Sequence, residues 1–106
     1  LNLICYLPNK AEILLENVDY ARFEADFRVN FAVIRALEII GEASKRIPDQ
    51  VRNQYDEIPW KGMAGMRDRI IHGYDQVDLE TVWDVVKRDI PRIRPFIKRI
   101  IREYGV

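Results

Sequence analysis

The stretch Val29-Asn30-Phe31-Ala32-Val33-Ile34-Arg35-Ala36-Leu37-Glu38-Ile39-Ile40-Gly41-Glu42-Ala43 decides the fold. At about 100° per residue, Val29, Val33, Ala36, Leu37, Ile40, Ala43 and Ile47 fall on one broad face. Phe27, Phe31 and Ile34 widen it. Arg28, Arg35, Glu42 and Arg46 lie on a separate stripe, with Glu38 at its edge. The spacing predicts a helix over 25–47 whose apolar surface is wide enough to touch several neighbours. Pro48 stops it, and Asp49 is placed to cap a short helix through about Tyr55.

Helical spacing continues on both sides. Residues 10–20 read as a short helix carrying Ile13, Leu14 and Val18, with the register before it left open by Pro8. Downstream, Pro59 suits a first turn, and a helix is expected over about 60–72. Gly73 would end it as a C′ glycine, leaving His72 in the last turn and Tyr74 just beyond. Asp78 then caps the last element. Leu79, Val82, Trp83, Val86, Ile90, Ile93, Ile97, Ile100, Ile101 and Tyr104 share one face there. That face runs unbroken across Pro91 and Pro95, so one helix bends or two meet nearly end to end. Residues 81–106 hold seven basic and three acidic side chains. Arg88, Arg92, Lys98, Arg99 and Arg102 lie roughly opposite the apolar stripe. β-Branched alternation is scarce. The expected fold is all-α, an antiparallel bundle of four to five helices in a single domain spanning 1–106. The long C-terminal stripe exceeds what one small bundle covers, which points to a dimer.

Composition narrows the functions. Seventeen basic and seventeen acidic residues cancel, so any nucleic-acid role rests on a local patch. The longest apolar run, Leu3 to Leu7, is far short of a membrane span. No segment reads as a signal peptide, and the single cysteine, Cys5, suits a reducing compartment. A cytoplasmic protein is the expectation. One His and one Cys do not assemble a usual intrachain zinc site, and no Gly-rich phosphate loop is present. No metal or other cofactor is expected.

The chemistry concentrates in Arg67-Asp68-Arg69-Ile70-Ile71-His72-Gly73-Tyr74, which holds the only histidine. These groups suit a phosphodiester: a cation for the phosphate, an imidazole for the proton, a phenol at the rim. On an ideal helix Arg67 and His72 lie about 140° apart, whereas Arg69 and Asp68 share a face with His72. An Asp68–His72 hydrogen bond would fix the imidazole tautomer. One imidazole does not easily serve as both base and acid, but a symmetric dimer supplies two and removes the 140° problem. The plainer reading is a C-terminal helical histidine among solvated arginines.

The spacing Arg-x4-His-x-Tyr resembles the signature of the HEPN superfamily, specifically its HepT-like toxins. The surrounding text is similar as well. Ala32 to Ala43 resembles the long helix of that family. Glu57-Ile58-Pro59-Trp60-Lys61 followed by Ala64-Gly65-Met66-Arg67 resembles its lead into the motif. Val77-Asp78-Leu79-Glu80-Thr81-Val82-Trp83 resembles the segment after it. The likeness covers roughly residues 23–104, with Asp68 a departure from a neutral residue.

The resemblance implies a HEPN-like helical fold and a metal-independent endoribonuclease. It implies a homodimer with the motif at its cleft and a minimal nucleotidyltransferase antitoxin as partner. By position, Arg67 and His72 correspond to the catalytic pair and Tyr74 to a tyrosine modified with AMP. Asp68, Arg69, Arg35, Glu38 and Glu42 are candidate supporting residues. Cleavage would leave a 2′,3′-cyclic phosphate and a 5′-hydroxyl. Two other readings stay open: a non-catalytic HEPN dimer that binds and is modified by a nucleotidyltransferase, and a plain structural dimer. Trp60 and Trp83 are expected as core or interface anchors.

Overall fold

The computed structural model describes residues 1–72 and 76–106. In chain order the elements are α1 (Asn2–Leu14), α2 (Tyr20–Ala25), α3 (Phe27–Lys45), α4 (Asp49–Gln54), α5 (Trp60–Ala64) and α6 (Met66–Ile70). The strands β1 (Ile71–His72) and β2 (Gln76–Val77) follow. The chain then runs through α7 (Leu79–Asp84), a π-helical turn (Val85–Asp89) and α8 (Ile90–Tyr104). The all-α expectation holds, but among the described residues the expected four to five helices are divided into eight shorter and longer ones, and the strands form a two-stranded antiparallel ribbon.

α3 is the central element, packed against α1, α2, α5, α6 and α7. Its N-terminus is capped by Asp26, whose carboxylate accepts the Arg28 N–H at 3.0 Å. Val33, Ile34, Ala36, Leu37 and Ile40 are buried along one side. Past its last turn, Arg52 donates to the carbonyls of Ser44 (2.7 Å) and Ile47 (2.9 Å), groups that a helix terminus leaves without partners. Phe27 and Phe31 were expected on the buried face, but both stay exposed, at 62% and 66%. Phe31 points about 120° away from Leu37 around the axis, on the side of Arg35. Among the described residues no helix buries that side.

α1 corrects a second expectation. The first helix begins at Asn2, not residue 10, and runs through Pro8. Pro8 costs an intrahelical hydrogen bond, but Ile4, Pro8, Ala11 and Leu15 form one buried stripe. Burying that stripe outweighs the lost bond. Val18 lies beyond the helix: Asn17 adopts a left-handed conformation (φ 58°) and the chain turns into α2. Asp19 caps α2. The buried Asn30 amide of α3 donates to the Phe23 carbonyl at 3.0 Å, locking α2 to α3. At α4 it is Pro48, not Asp49, that occupies the cap position, and Asp49 is the first helical residue.

The C-terminal segment is continuous. The π turn comes just before Pro91, whose missing N–H and bulky ring disfavour the ordinary register at that point. The added residue brings Val85 into the core beside Val82, Val86, Ile90, Ile93, Ile97 and Ile100. Ile101 and Tyr104, read from sequence as part of the same stripe, are partly exposed. Gly105, with φ 68°, closes α8 and donates to the Ile101 carbonyl at 2.9 Å. Trp60 is a core anchor, its indole N–H donating to the Tyr55 carbonyl at 3.0 Å. Trp83 stacks edge-on to Tyr20, with centroids 5.5 Å apart.

Candidate active site

The segment 60–72 is not one helix. α5 ends at Ala64, Gly65 joins it to α6, and α6 ends at Ile70. A close approach of α3 locates this junction. A Cβ on Gly41 would lie 2.9 Å from the Met63 carbonyl oxygen and 3.2 Å from Met66 Cβ. Trp60, Met63, Met66 and Ile70 are all buried, which keeps the apolar spacing helical across the junction.

Beyond Ile70 the chain is extended. Ile71 pairs with Val77 and His72 with Gln76, and the Asp78 N–H donates to the Ile70 carbonyl at 2.7 Å. His72 therefore belongs to a strand rather than to a helical last turn. Two successive β-branched residues favour that outcome, and the ribbon supplies partners for backbone groups that the helix end would leave unpaired. The expected C′ glycine, Gly73, and the modification candidate, Tyr74, lie outside the described residues.

This change of backbone rearranges the expected partners. Asp68 loses its i,i+4 relation to His72, because the helix stops two residues before the histidine. Asp78 rather than Asp68 is the carboxylate near His72: its Oδ2 lies 3.9 Å from His72 Nε2, beyond hydrogen-bond distance. The same carboxylate caps α7, accepting the Thr81 N–H at 3.0 Å and the Thr81 hydroxyl at 2.7 Å. Those hydrogen bonds, backbone first, hold the Asp78 carboxyl below the usual aspartate range, and His72 adds to the effect. Asp78 was legible as a cap. Its place beside His72 was not, because it needs the chain reversal between the strands.

Arg67 is held by another element. Its Nε lies 4.0 Å from Glu38 Oε2 on α3, and Arg35 Nη1 lies 4.0 Å from the same oxygen. Arg35 and Arg67 thus share one supporting candidate, the Glu38 carboxylate. The other expected partners go elsewhere. Arg69 donates to Asp89 at 3.1 Å, and Glu42 accepts from Lys45 at 3.2 Å. Arg67 and His72 are both exposed, with side-chain accessibilities of 68% and 58%. Among the described residues these groups lie on an open surface where Arg35, Arg67 and His72 alternate with Glu38 and Asp78, and open surfaces suit a polymer better than a small molecule. An apolar cavity of about 500 Å³ lies between α3, α5 and α8, with Arg69 but neither Arg67 nor His72 in its wall. Among the described residues, no group of three or more His, Cys, Asp or Glu is placed to hold a metal ion.

The basic side of the C-terminal segment is partly used up by ion pairs. Arg99 pairs with Glu57 and Glu103, Arg88 with Asp84, and Arg94 with Glu12. Among the described residues no helix is long and apolar enough to cross a membrane.

Asp78 offers a stability test. Its folded value is depressed, so its contribution is complete above the unfolded value and is lost as pH falls through the folded one. Asp78→Ala is expected to lower Tm at neutral pH, with the gap to the parent closing on acidification. Thermal melts across acid pH check this; a gap that stays constant would mean the carboxylate does not cap α7 in its charged form.

The family described as Ribonuclease HepT-like matches residues 8–100. A Thermococcus cleftensis protein named "Probable ribonuclease HepT" is 48% identical over 95 residues, spanning 84% of this chain and 86% of that protein. "Putative RNase MJ0125" of Methanocaldococcus jannaschii is 46% identical over 88 residues, spanning 83% of this chain and 76% of that protein. "Putative RNase TTE0752" of Caldanaerobacter subterraneus is 36% identical over 101 residues, spanning 92% of this chain and 90% of that protein. No solved structure gives a significant match. Together with the HEPN-like helical fold, these matches make the chain an RNase of the HepT-like ribonuclease family.

Proposed function

We propose that the protein is a metal-independent endoribonuclease toxin of a HEPN/minimal nucleotidyltransferase pair, cutting RNA at a homodimer cleft. The observation that carries this is the placement of its two reactive side chains. Arg67 and His72 both reach solvent, and each stands beside a carboxylate fixed on a different part of the bundle: Glu38 on α3, Asp78 at the start of α7. A cation and an imidazole held this way suit a phosphodiester.

In the proposed reaction His72 takes the 2′-OH proton as the 2′-oxygen bonds to phosphorus. The P–O5′ bond breaks, and the leaving 5′-oxygen takes a proton from the second imidazole. The products are a 2′,3′-cyclic phosphate and a 5′-hydroxyl. Arg67 stabilises the negative charge of the crowded phosphorane. Glu38, shared with Arg35, orients Arg67, while Asp78 orients His72. The two-fold partner supplies the second His72 and Arg67. Unmodified protein incubated with RNA in EDTA tests the reading. Cleavage with cyclic-phosphate ends is expected; a requirement for magnesium would overturn it.

Tyr74 supplies the regulation in this reading. The antitoxin nucleotidyltransferase transfers AMP to the phenol, and the added phosphate repels RNA beside the site. Incubation with ATP, magnesium and a minimal nucleotidyltransferase encoded beside this protein is expected to give a mass gain of AMP on Tyr74. No gain, or a gain on another tyrosine, would remove this regulation. The second reading, a non-catalytic dimer modified by the same partner, is favoured by the balanced charge of the chain. It predicts the same mass gain without cleavage. Both readings place the protein in the cytoplasm.

A further inference from the structure

Phe27 and Phe31 have no role in the reaction above, and among the described residues both stay mostly exposed. They sit one turn apart on α3 with ring centroids 5.7 Å apart, and each is nearly two-thirds exposed. Leaving two phenyl rings mostly in water forfeits the free energy of burying them, so a partner for them is expected. The surroundings of the rings narrow the choice of partner. On an ideal helix Phe31, Arg35 and Glu38 fall within about 60° of one another, and Glu38 lies about 10 Å along the axis from Phe31. Glu38 is also the residue beside Arg67. The aromatic pair and the catalytic arginine therefore lie along one continuous strip of surface. Exposed guanidinium groups flank it at Arg28 (84%), Arg35 (69%) and Arg67 (68%).

We propose that Phe27 and Phe31 form a stacking platform for unpaired RNA bases next to the scissile phosphate, making single-stranded RNA the preferred substrate. The proposal rests on the ribonuclease reading of Arg67 and His72. Flat, sequence-tolerant π-faces bordered by arginines are what unpaired bases and their phosphates require. A duplex keeps its base faces stacked inside and offers nothing to these rings. A second copy of the chain fits the patch less well. Two phenylalanines bury at most about 300–500 Å², against roughly 800 Å² per partner in a stable interface.

The test uses the His72→Ala protein, so that RNA is bound without being cut. Its binding to a short fluorescent oligoadenylate is compared with that to an abasic ribose-phosphate strand of equal length and to duplex RNA. Adding Phe31→Ala is expected to weaken oligoadenylate binding about 5- to 150-fold while leaving the abasic strand unaffected. Phe31→Trp should restore binding; Phe31→Leu, which keeps apolar volume but has no π-face, should not. In the cleavage-competent protein the same change should raise KM more than it lowers kcat. Sedimentation is measured on every variant. Unchanged oligoadenylate affinity in Phe31→Ala overturns the platform, as does rescue by Leu equal to that by Trp. A Phe31→Ala protein that sediments as a smaller species assigns the patch to contact between copies and also overturns it. A parent that binds no RNA fails the ribonuclease reading together with the platform, whereas RNA binding that ignores Phe31 fails the platform alone.

Discussion

His72→Ala is expected to reduce RNA cleavage by about 10²–10⁴-fold, the range that general acid–base catalysis supplies, and to abolish toxicity in cells. In the proposed dimer the substitution removes both imidazoles at once, so the upper end of that range applies. Arg67→Ala is expected to cost about 10²–10³-fold, as for loss of one group that stabilises developing charge. Neither change should disturb the fold, because both side chains are largely exposed and their neighbours are carboxylates rather than core residues. Circular dichroism and thermal melts alongside the cleavage assay separate the two effects. Cleavage that survives His72→Ala would sink the mechanism. A large fall in Tm for either variant would mean that lost activity reports unfolding.

Gly41 carries the second large effect, through packing rather than chemistry. A methyl group there would sit 2.9 Å from the Met63 carbonyl oxygen, which is backbone and cannot swing aside, and 3.2 Å from Met66 Cβ. Alanine in a helix interior gains up to about 1 kcal/mol over glycine. Overpacking of this kind costs about 1–3 kcal/mol. The cost should win modestly for Gly41→Ala and decisively for Gly41→Val, which adds bulk and gives back much of the propensity gain. The activity loss should be larger than the stability loss implies. The displaced junction carries α6, and α6 carries Arg67; a misplacement of about 1 Å at a reacting group can cost 10²-fold. Urea unfolding and single-turnover cleavage on the folded fraction check this. A Gly41→Ala protein more stable than the parent and fully active would show that the junction has slack that the geometry denies.

Much of the fold is legible without coordinates because its signals are local. The helical period of 29–43 depends on which residues recur every three or four positions, and α3 buries that face. Asp26 and Asp19 cap helices without having been singled out, while Asp78 is a cap readable three residues before Thr81. The C-terminal stripe continues past Pro91 through a π turn that adds Val85 to the buried side. Arg67 and His72 stand out for a chemical reason, the single imidazole near two arginines, and the resemblance to HepT-like toxins rests on the same stretch.

The errors share a cause. Trp60, Met63, Met66 and Ile70 keep helical spacing whether or not the helix breaks at Gly65, so periodicity cannot see the break. The break follows from how closely α3 approaches at Gly41. Periodicity also put Phe27 and Phe31 inside, since it assigns a face but not whether a neighbour covers it. Asp68 and Arg69 looked like partners of His72 only on a continuous helix. The sequence by itself determined the class of fold, the central helix and the candidates for the reactive side chains, because propensity, period and chemical type are properties of neighbouring residues. Only the tertiary structure decided which carboxylate stands beside which reactive group. Asp78 meets His72 through the pairing of two strands, and Glu38 meets Arg67 through the packing of α6 on α3, contacts between segments whose separation along the chain carries no periodic signal.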